Sequence, residues 1–221
     1  CGIASCSSVL SSYRKALMSD PLSAFGGVLI SNKKVDENSA KEINKLFFEV
    51  LIAPEFDEKS LEILKEKKNR IILRMNDFIS DNVSSKKLLG GYLQQDLDIA
   101  ENKVENWNVV TEIKPSKKQL TDLEFANKIV KHSKSNAIVL VSGNQMISSG
   151  VGQTSRVDAL KHAIEKAKTF GLKVEGSVMA SDAFFPFADS ILMASKAGIK
   201  SIIQPGGSIK DEAVIKEVNK K

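Results

Sequence analysis

Gly26-Gly27-Val28-Leu29-Ile30, Phe48-Glu49-Val50-Leu51-Ile52-Ala53-Pro54 and Arg70-Ile71-Ile72-Leu73 are three short apolar runs, each long enough for one buried strand. The intervals between them read as helices. From about Glu37 to Phe48, residues Ala40, Ile43, Leu46 and Phe47 share one helical face. Behind Asp57, placed as an N-cap, Leu61, Ile63 and Leu64 form a second apolar face. Strand, helix, strand, helix, strand is the rhythm of an α/β protein with a largely parallel sheet.

The same rhythm returns further along. Ser116 caps a helix running to about Lys131, with Leu120, Leu123, Ala126, Ile129 and Val130 inward. A strand at Ala137–Val141 turns through Ser142-Gly143-Asn144-Gln145 into a short strand that ends at Gly150. A helix over Val157–Lys168, with Gly171 past its end, leads to a strand at Val174–Ala180. A helix near Asp189–Lys196, a strand at Ser201–Gln204 and a helix from Asp211 complete the pattern. The stretch from Asn76 to Pro115 is polar and weakly periodic and contains Gly90-Gly91, so it reads as a linker or irregular excursion. The expected organisation is two α/β halves, residues 1–92 and 93–221.

Composition narrows the function classes. With 42% hydrophobic and 27% charged residues in 221, the chain has ordinary globular composition, which excludes a disordered or collagen-like protein. No apolar run approaches the roughly 20 residues of a membrane span, and no signal peptide is readable. The two cysteines, Cys1 and Cys6, lie together at one end, far in sequence from His132 and His162. They make neither a disulfide scaffold nor a zinc site, and a reducing, cytoplasmic compartment is expected. The net charge of +5 is a lysine excess spread along the chain rather than an arginine-rich patch, so nucleic acid is not the expected partner.

Four strand-to-helix junctions carry the residues suited to a ligand. Ser23–Gly27 pairs two glycines that permit close backbone approach. Gly150–Arg156 leads into a helix N-terminus, where amide groups, the helix dipole and Arg156 favour an anion. Ala180–Asp189 sets Phe184, Phe185 and Phe187 around Pro186, either as a core cluster or as a wall for a flat heteroaromatic ligand. Gln204–Asp211 is a second glycine turn opening a helix, an anion or carbonyl cradle or an ordinary turn. The two histidines read as structural or exposed. From the residues alone this is an α/β protein for a small anionic or heteroaromatic ligand.

Six strings occurring together carry more. They are Asp20–Gly27, Phe48–Pro54, Lys134-Ser135-Asn136-Ala137, Gly152–Val157, Ser181–Asp189 and Gln204–Ser208. In this order they resemble the formyltransferase domain of the bifunctional AICAR transformylase/IMP cyclohydrolase family. The resemblance implies a cytidine deaminase-like fold with mixed sheets covered by helices. It also implies transfer of a formyl group from the cosubstrate 10-formyltetrahydrofolate to the 5-amino group of AICAR, a step of purine (IMP) biosynthesis. By the same resemblance Asn136 is catalytic, orienting the AICAR carboxamide and amine. Gly26, Glu49, Arg156 and Phe184 line the AICAR pocket, and Val157, Pro186, Gly206 and Gly207 lie near the folate. Asp182, with groups around Val130 and Ser133, holds a monovalent cation, K+, in some members. Homodimers with sites built across the subunit interface are the implied assembly.

The departures shape the expectation for activity. The family's lysine-histidine pair, whose histidine is the presumed base, precedes the turn at which Cys1-Gly2 opens this chain. A C-terminal segment with a further arginine and histidine, and the upstream cyclohydrolase domain, are likewise outside it. Ser190 stands where some relatives have asparagine. The expectation is a piece of the transformylase that is inactive alone. The rival readings are a non-catalytic α/β ligand-binding module and, behind it, a basic nucleic-acid-binding domain.

Overall fold

The computed structural model describes residues 1–76 and 82–220, and these form an α/β structure built on two main sheets. The first contains β1 (Gly27–Ile30), β2 (Phe48–Ala53) and β3 (Ile71–Arg74), all parallel in the order β1-β2-β3. Helices α1 (Val9–Met18), α2 (Glu37–Ile43) and α3 (Glu58–Lys65) pack on one face of it. Ala40, Ile43, Phe48, Leu51, Ala53 and Leu64 are buried there.

The second sheet is mixed. Its strands are β6 (Ile138–Ser142), β7 (Gln145–Gly150), β8 (Val178–Ser181) and β9 (Ser201–Ile203), in the order β7-β6-β8-β9. β6 is antiparallel to both neighbours and β9 is parallel to β8, so β7, β8 and β9 all point the same way. Helix α4 (Lys117–Lys131) covers one face through Leu123, Ala126 and Val130. Helices α5 (Arg156–Thr169), α6 (Asp189–Lys196) and α7 (Asp211–Val218) cover the other. With both faces buried, β6 carries the continuous apolar run Ile138-Val139-Leu140-Val141 and shows no alternation.

Several local expectations need correction. The helix after β1 ends at Ile43, not near Phe48. Lys45 and Leu46 close tight turns onto Glu42 and Ile43, and the Arg70 guanidinium takes the carbonyls of Asn44 and Leu46. Arg70 also lies 4.2 Å over the Phe48 ring, packing the turn onto the sheet. Asp57 stands at the N-cap of α3 as read, but its carboxylate makes no capping hydrogen bond and lies 2.6 Å from Lys34 Nζ instead. The strand expected over 174–180 begins only at Val178, because the chain turns at Gly176 (φ 83°). In the stretch read as a linker, β4 (Val83–Leu88) and β5 (Gly91–Asp96) form an antiparallel hairpin, and Val104–Asn106 is one 3-10 turn. Hairpin strand residues are all exposed, which is why no buried periodicity marked it. Residues 77–81 of that stretch lie outside the described residues.

The two sheets are stitched by the N-terminal segment. Ala4 bridges Gln145 on the free edge of β7, with hydrogen bonds from Met146 to Ile3 and from Ser5 to Asn144. Below α1, Ser19 donates its hydroxyl to the Met146 carbonyl. Asp20, almost wholly buried, accepts from Lys166 of α5 at 2.6 Å and from the Ser23 amide at 3.0 Å. Burial would raise the Asp20 carboxyl. The Lys166 hydrogen bond, the Ser23 amide and hydroxyl and the lysine charge outweigh it, holding the pKa well below the usual carboxylate range.

Two expected outcomes follow from this packing. A Cβ on Gly150 would lie 1.9 Å from the Ala159 carbonyl oxygen where α5 crosses β7. Gly150→Ala therefore costs about 1–3 kcal/mol or more, a drop of several degrees in Tm in a thermal melt. Asp20 contributes stability above its unfolded pKa of about 4, and that contribution fades as pH falls below it. Asp20→Asn is expected to lose about 2 kcal/mol at pH 7, with the gap to wild type shrinking in denaturant melts below about pH 4.

Candidate active site

Because β7, β8 and β9 share a direction, their carboxyl ends form one edge, and the reversed strand β6 enters the sheet from that same edge. Asn136 precedes β6, Arg156 and Val157 follow β7, Asp182, Phe184 and Pro186 follow β8, and Gly206 and Gly207 follow β9. Eight of the ten sequence-picked residues thus come to one edge. The register fixes the meeting point, since Ile138 pairs with both Gly150 and Ser181.

Asn136 is held by its neighbours. Its Nδ2 donates to the carbonyls of Gln153 (3.0 Å) and Thr154 (3.2 Å), and its backbone exchanges hydrogen bonds with Gln153. The Ser135–Asn136 peptide is cis. Among the described residues no hydrogen bond reaches Asn136 Oδ1, which leaves that acceptor unused. Next to it, Asp182 Oδ1 accepts from the Ala137 amide at 3.1 Å and lies 3.5 Å from an Arg156 guanidinium nitrogen. Both side chains are largely buried, and Arg156 Nε has no partner. Both of these contacts fall on Oδ1; a group of three acidic, cysteine or histidine ligands does not occur among the described residues.

Arg156 begins α5, which Ser155 caps by accepting from the Asp158 amide at 3.1 Å. Gly152 takes φ 65° in the turn before it and donates to the Lys134 carbonyl at 2.7 Å, closing the turn onto the Asn136 segment. The phenylalanine loop divides its labour. Phe185 is fully buried in the core, while Phe184 and Phe187 face outward. Its backbone is anchored by the Phe185 amide donating to Gln204 Oε1 at 2.6 Å, and Lys210 lies 4.1 Å over the Phe187 ring. Of the two readings of the glycine turn after β9, an open cradle or an ordinary turn, its hydrogen bonds fit the ordinary turn. Asp211 Oδ2 already accepts from the amides of Gly207 (2.7 Å) and Ser208 (3.2 Å), so the turn supplies shape rather than free donors.

Gly26 and Glu49 lie elsewhere. They are at the amino edge of the first sheet, where Gly26 (φ 71°) donates to the Phe47 carbonyl and Glu49 is the exposed residue of a β-bulge. Phe25 and Phe47 stack beside them with centroids 4.9 Å apart. No described hydrogen bond or ion pair joins these residues to the Asn136 cluster. Of the histidines, His132 closes α4 and His162 is exposed on α5; neither hydrogen-bonds to the cluster. A cavity of about 1730 Å³ lies under residues 98–115, between them and α4, β9 and α7. Asp182, Phe185 and Gly206 form part of its wall.

Sequence reasoning missed the residues that hold this edge in place. Gln204 was read as a strand end and the start of a turn, with no role for its side chain, yet its amide ties the β8 loop to the β9 end. Asp122, buried on the inner face of α4, accepts from the amides of Gly143 and Asn144 and holds the β6–β7 turn. Its signal was visible: an acidic residue beside Leu123 on an apolar stripe needs buried donors.

Comparison with known proteins identifies relatives of the chain. The family described as "AICARFT/IMPCHase bienzyme" matches residues 1–166. The chain is 56% identical over 212 residues to the bifunctional purine biosynthesis protein PurH of Bacteroides thetaiotaomicron, covering 96% of the chain and 42% of that protein. It is 48% identical to PurH of Aquifex aeolicus and 47% identical to PurH of Acetivibrio thermocellus, in each case covering 43% of the relative. The chain therefore spans less than half the length of the curated relatives it matches.

Asp182 offers a direct check on the edge. Asp182→Ala leaves the Ala137 amide without its acceptor and Arg156 without its ion-pair partner, and is expected to cost about 1–3 kcal/mol. Asp182→Asn keeps an acceptor and is expected to cost less, and paired denaturant melts separate the two.

Proposed function

This chain belongs to the AICARFT/IMPCHase bienzyme family, and from that premise we propose that it carries the site of formyl transfer from 10-formyltetrahydrofolate to the 5-amino group of AICAR. The observation that carries the reading is the convergence of the Asn136, Arg156, Asp182 and Phe184 segments on one sheet edge. The companion cyclohydrolase step is assigned to the remaining length of the longer protein.

The chemistry explains what such an edge must do. The 5-amino group is a poor nucleophile, because its lone pair is delocalised into the imidazole ring and toward the carboxamide. Reaction needs that amine held against the formyl carbon, a base for its proton and a donor for the tetrahedral oxyanion. Asn136 Oδ1 accepts from the amine, turning its lone pair toward the formyl group while Nδ2 stays fixed on Gln153 and Thr154. An amide is not a base, so Asn136 orients and does not remove the proton. Arg156, held by Asp182 and placed at a helix N-terminus, supplies positive charge for the anionic end of AICAR. Phe184 offers an exposed ring for a planar heterocycle, and Val157, Pro186, Gly206 and Gly207 line the neighbouring folate position. Gly26 and Glu49 complete the AICAR pocket by way of a homodimer, in which the first sheet of one subunit meets the second-sheet edge of another. No step is routed through a cation at Asp182.

We further propose that the 221-residue chain binds these substrates but does not turn them over alone, with the base supplied from outside it. The test follows tetrahydrofolate release from AICAR and 10-formyltetrahydrofolate. Turnover is expected only from a longer version of the protein extended at both ends. In that version Asn136→Ala is expected to lower kcat/KM about 100-fold with little change in folding. Turnover by neither form overturns the assignment in favour of a binding module, and turnover by the chain alone overturns its proposed inactivity.

A further inference from the structure

The first sheet has one covered face and one bare face. Opposite the side packed by α1, α2 and α3, two rows of aliphatic side chains run in register across all three strands: Val28–Val50–Ile71 and Ile30–Ile52–Leu73. Val28 is 65% and Ile30 70% exposed, and Ile71 and Leu73 are about half exposed. Parallel sheets are ordinarily buried on both faces, so six aligned aliphatic residues constitute an unfilled packing surface.

The second sheet shows what fits such a face. The chain uses one run of elements twice, α1-β1-α2-β2-α3 and α5-β8-α6-β9-α7, with β1 parallel to β2 and β8 parallel to β9. In each run the three helices cover the same side of their sheet. On the opposite side of the second sheet lies α4, whose Leu123, Ala126 and Val130 pack with Val178 and Ala180 of β8 and Ile203 of β9. Since β1 stands in its run where β8 stands in the other, Val28 and Ile30 occupy the positions of Val178 and Ala180. Among the described residues nothing on the first sheet corresponds to α4.

We propose that this bare face docks an amphipathic α-helix of the same polypeptide, contributed by sequence beyond these 221 residues and packed as α4 packs on the second sheet. The relatives are more than twice as long as the stretch this chain covers, so chains of this family contain ample sequence to supply it. The repeat favours a segment in cis over a second copy, because α4 reaches its sheet from the same chain, just ahead of the strands it covers. The helix presents a stripe of aliphatic residues at i, i+3, i+4 and i+7, with a small residue, like Ala126, where it crosses the rows.

A thiol placed on the face tests this. Ile30→Cys, combined with Cys1→Ser and Cys6→Ser, is treated with a maleimide, and modification is read by mass spectrometry on the peptide containing position 30. Val28→Cys gives the same reading should the first variant fold poorly, and Glu62→Cys on exposed α3 normalises the rates. In the 221-residue chain the thiol is expected to react as a freely exposed one. In the longer protein the reaction is expected to slow about 100-fold, because it then needs local opening, and the slowing should persist on dilution. Equal rates in the two forms overturn the proposal. Protection that vanishes on dilution, or that the short chain acquires on concentration, also overturns it by making a second copy the occupant.

Discussion

The reversal of β6 is the constraint on which the candidate site depends. β6 has zero exposure from Ile138 to Val141 and is hydrogen-bonded on both sides, to β7 and to β8. Because it alone runs against its neighbours, the residue that leads into it meets the residues that lead out of the others. Asn136 arrives where Gln153, Thr154, Arg156 and Asp182 depart, and the meeting is sealed by the Ala137 amide on Asp182. In an all-parallel sheet of the same strands, Asn136 would lie at the opposite edge, a strand length of roughly 15 Å away.

Around this edge the protein fills its own polar groups before a ligand arrives. Asp211 occupies the glycine-turn amides, Gln204 anchors the phenylalanine loop, and Asp182 both pairs with Arg156 and satisfies the Ala137 amide just ahead of β6. Such internal pairing holds neighbouring groups in fixed positions and leaves few free, among them Asn136 Oδ1, Arg156 Nε and the exposed Phe184 ring. Selectivity then rests on shape and a few acceptors and charges rather than on a large field.

The first sheet stands in a different condition. Its helix-covered side is a complete core, whereas its other side and its amino edge, with Gly26, Glu49 and the Phe25–Phe47 pair, face outward. It is held to the second unit by strand-edge pairing at residues 3–5 and by the buried Asp20–Lys166 pair. The apolar exposure and the outlying candidate residues Gly26 and Glu49 therefore belong to the same half of the molecule.

The alternation of short apolar runs with helical stripes was enough to determine the α/β class and most elements, because burial imposes those periods on any chain that folds this way. Ser116 announced its helix and caps it as read. The six strings at the junctions also marked the family. What periodicity does not carry is direction and distance. The antiparallel setting of β6, the Asp20–Lys166 pair 146 residues apart and the occupancy of the Gly207 turn by Asp211 arise from pairings between segments whose local sequences are indifferent to them. The exposed hairpin at 83–96 escaped notice for the complementary reason: with no buried face, it has no apolar period to read. Local sequence determined which elements form; only the tertiary structure decided which of their ends meet, because that choice is made by packing and hydrogen bonding between parts remote along the chain.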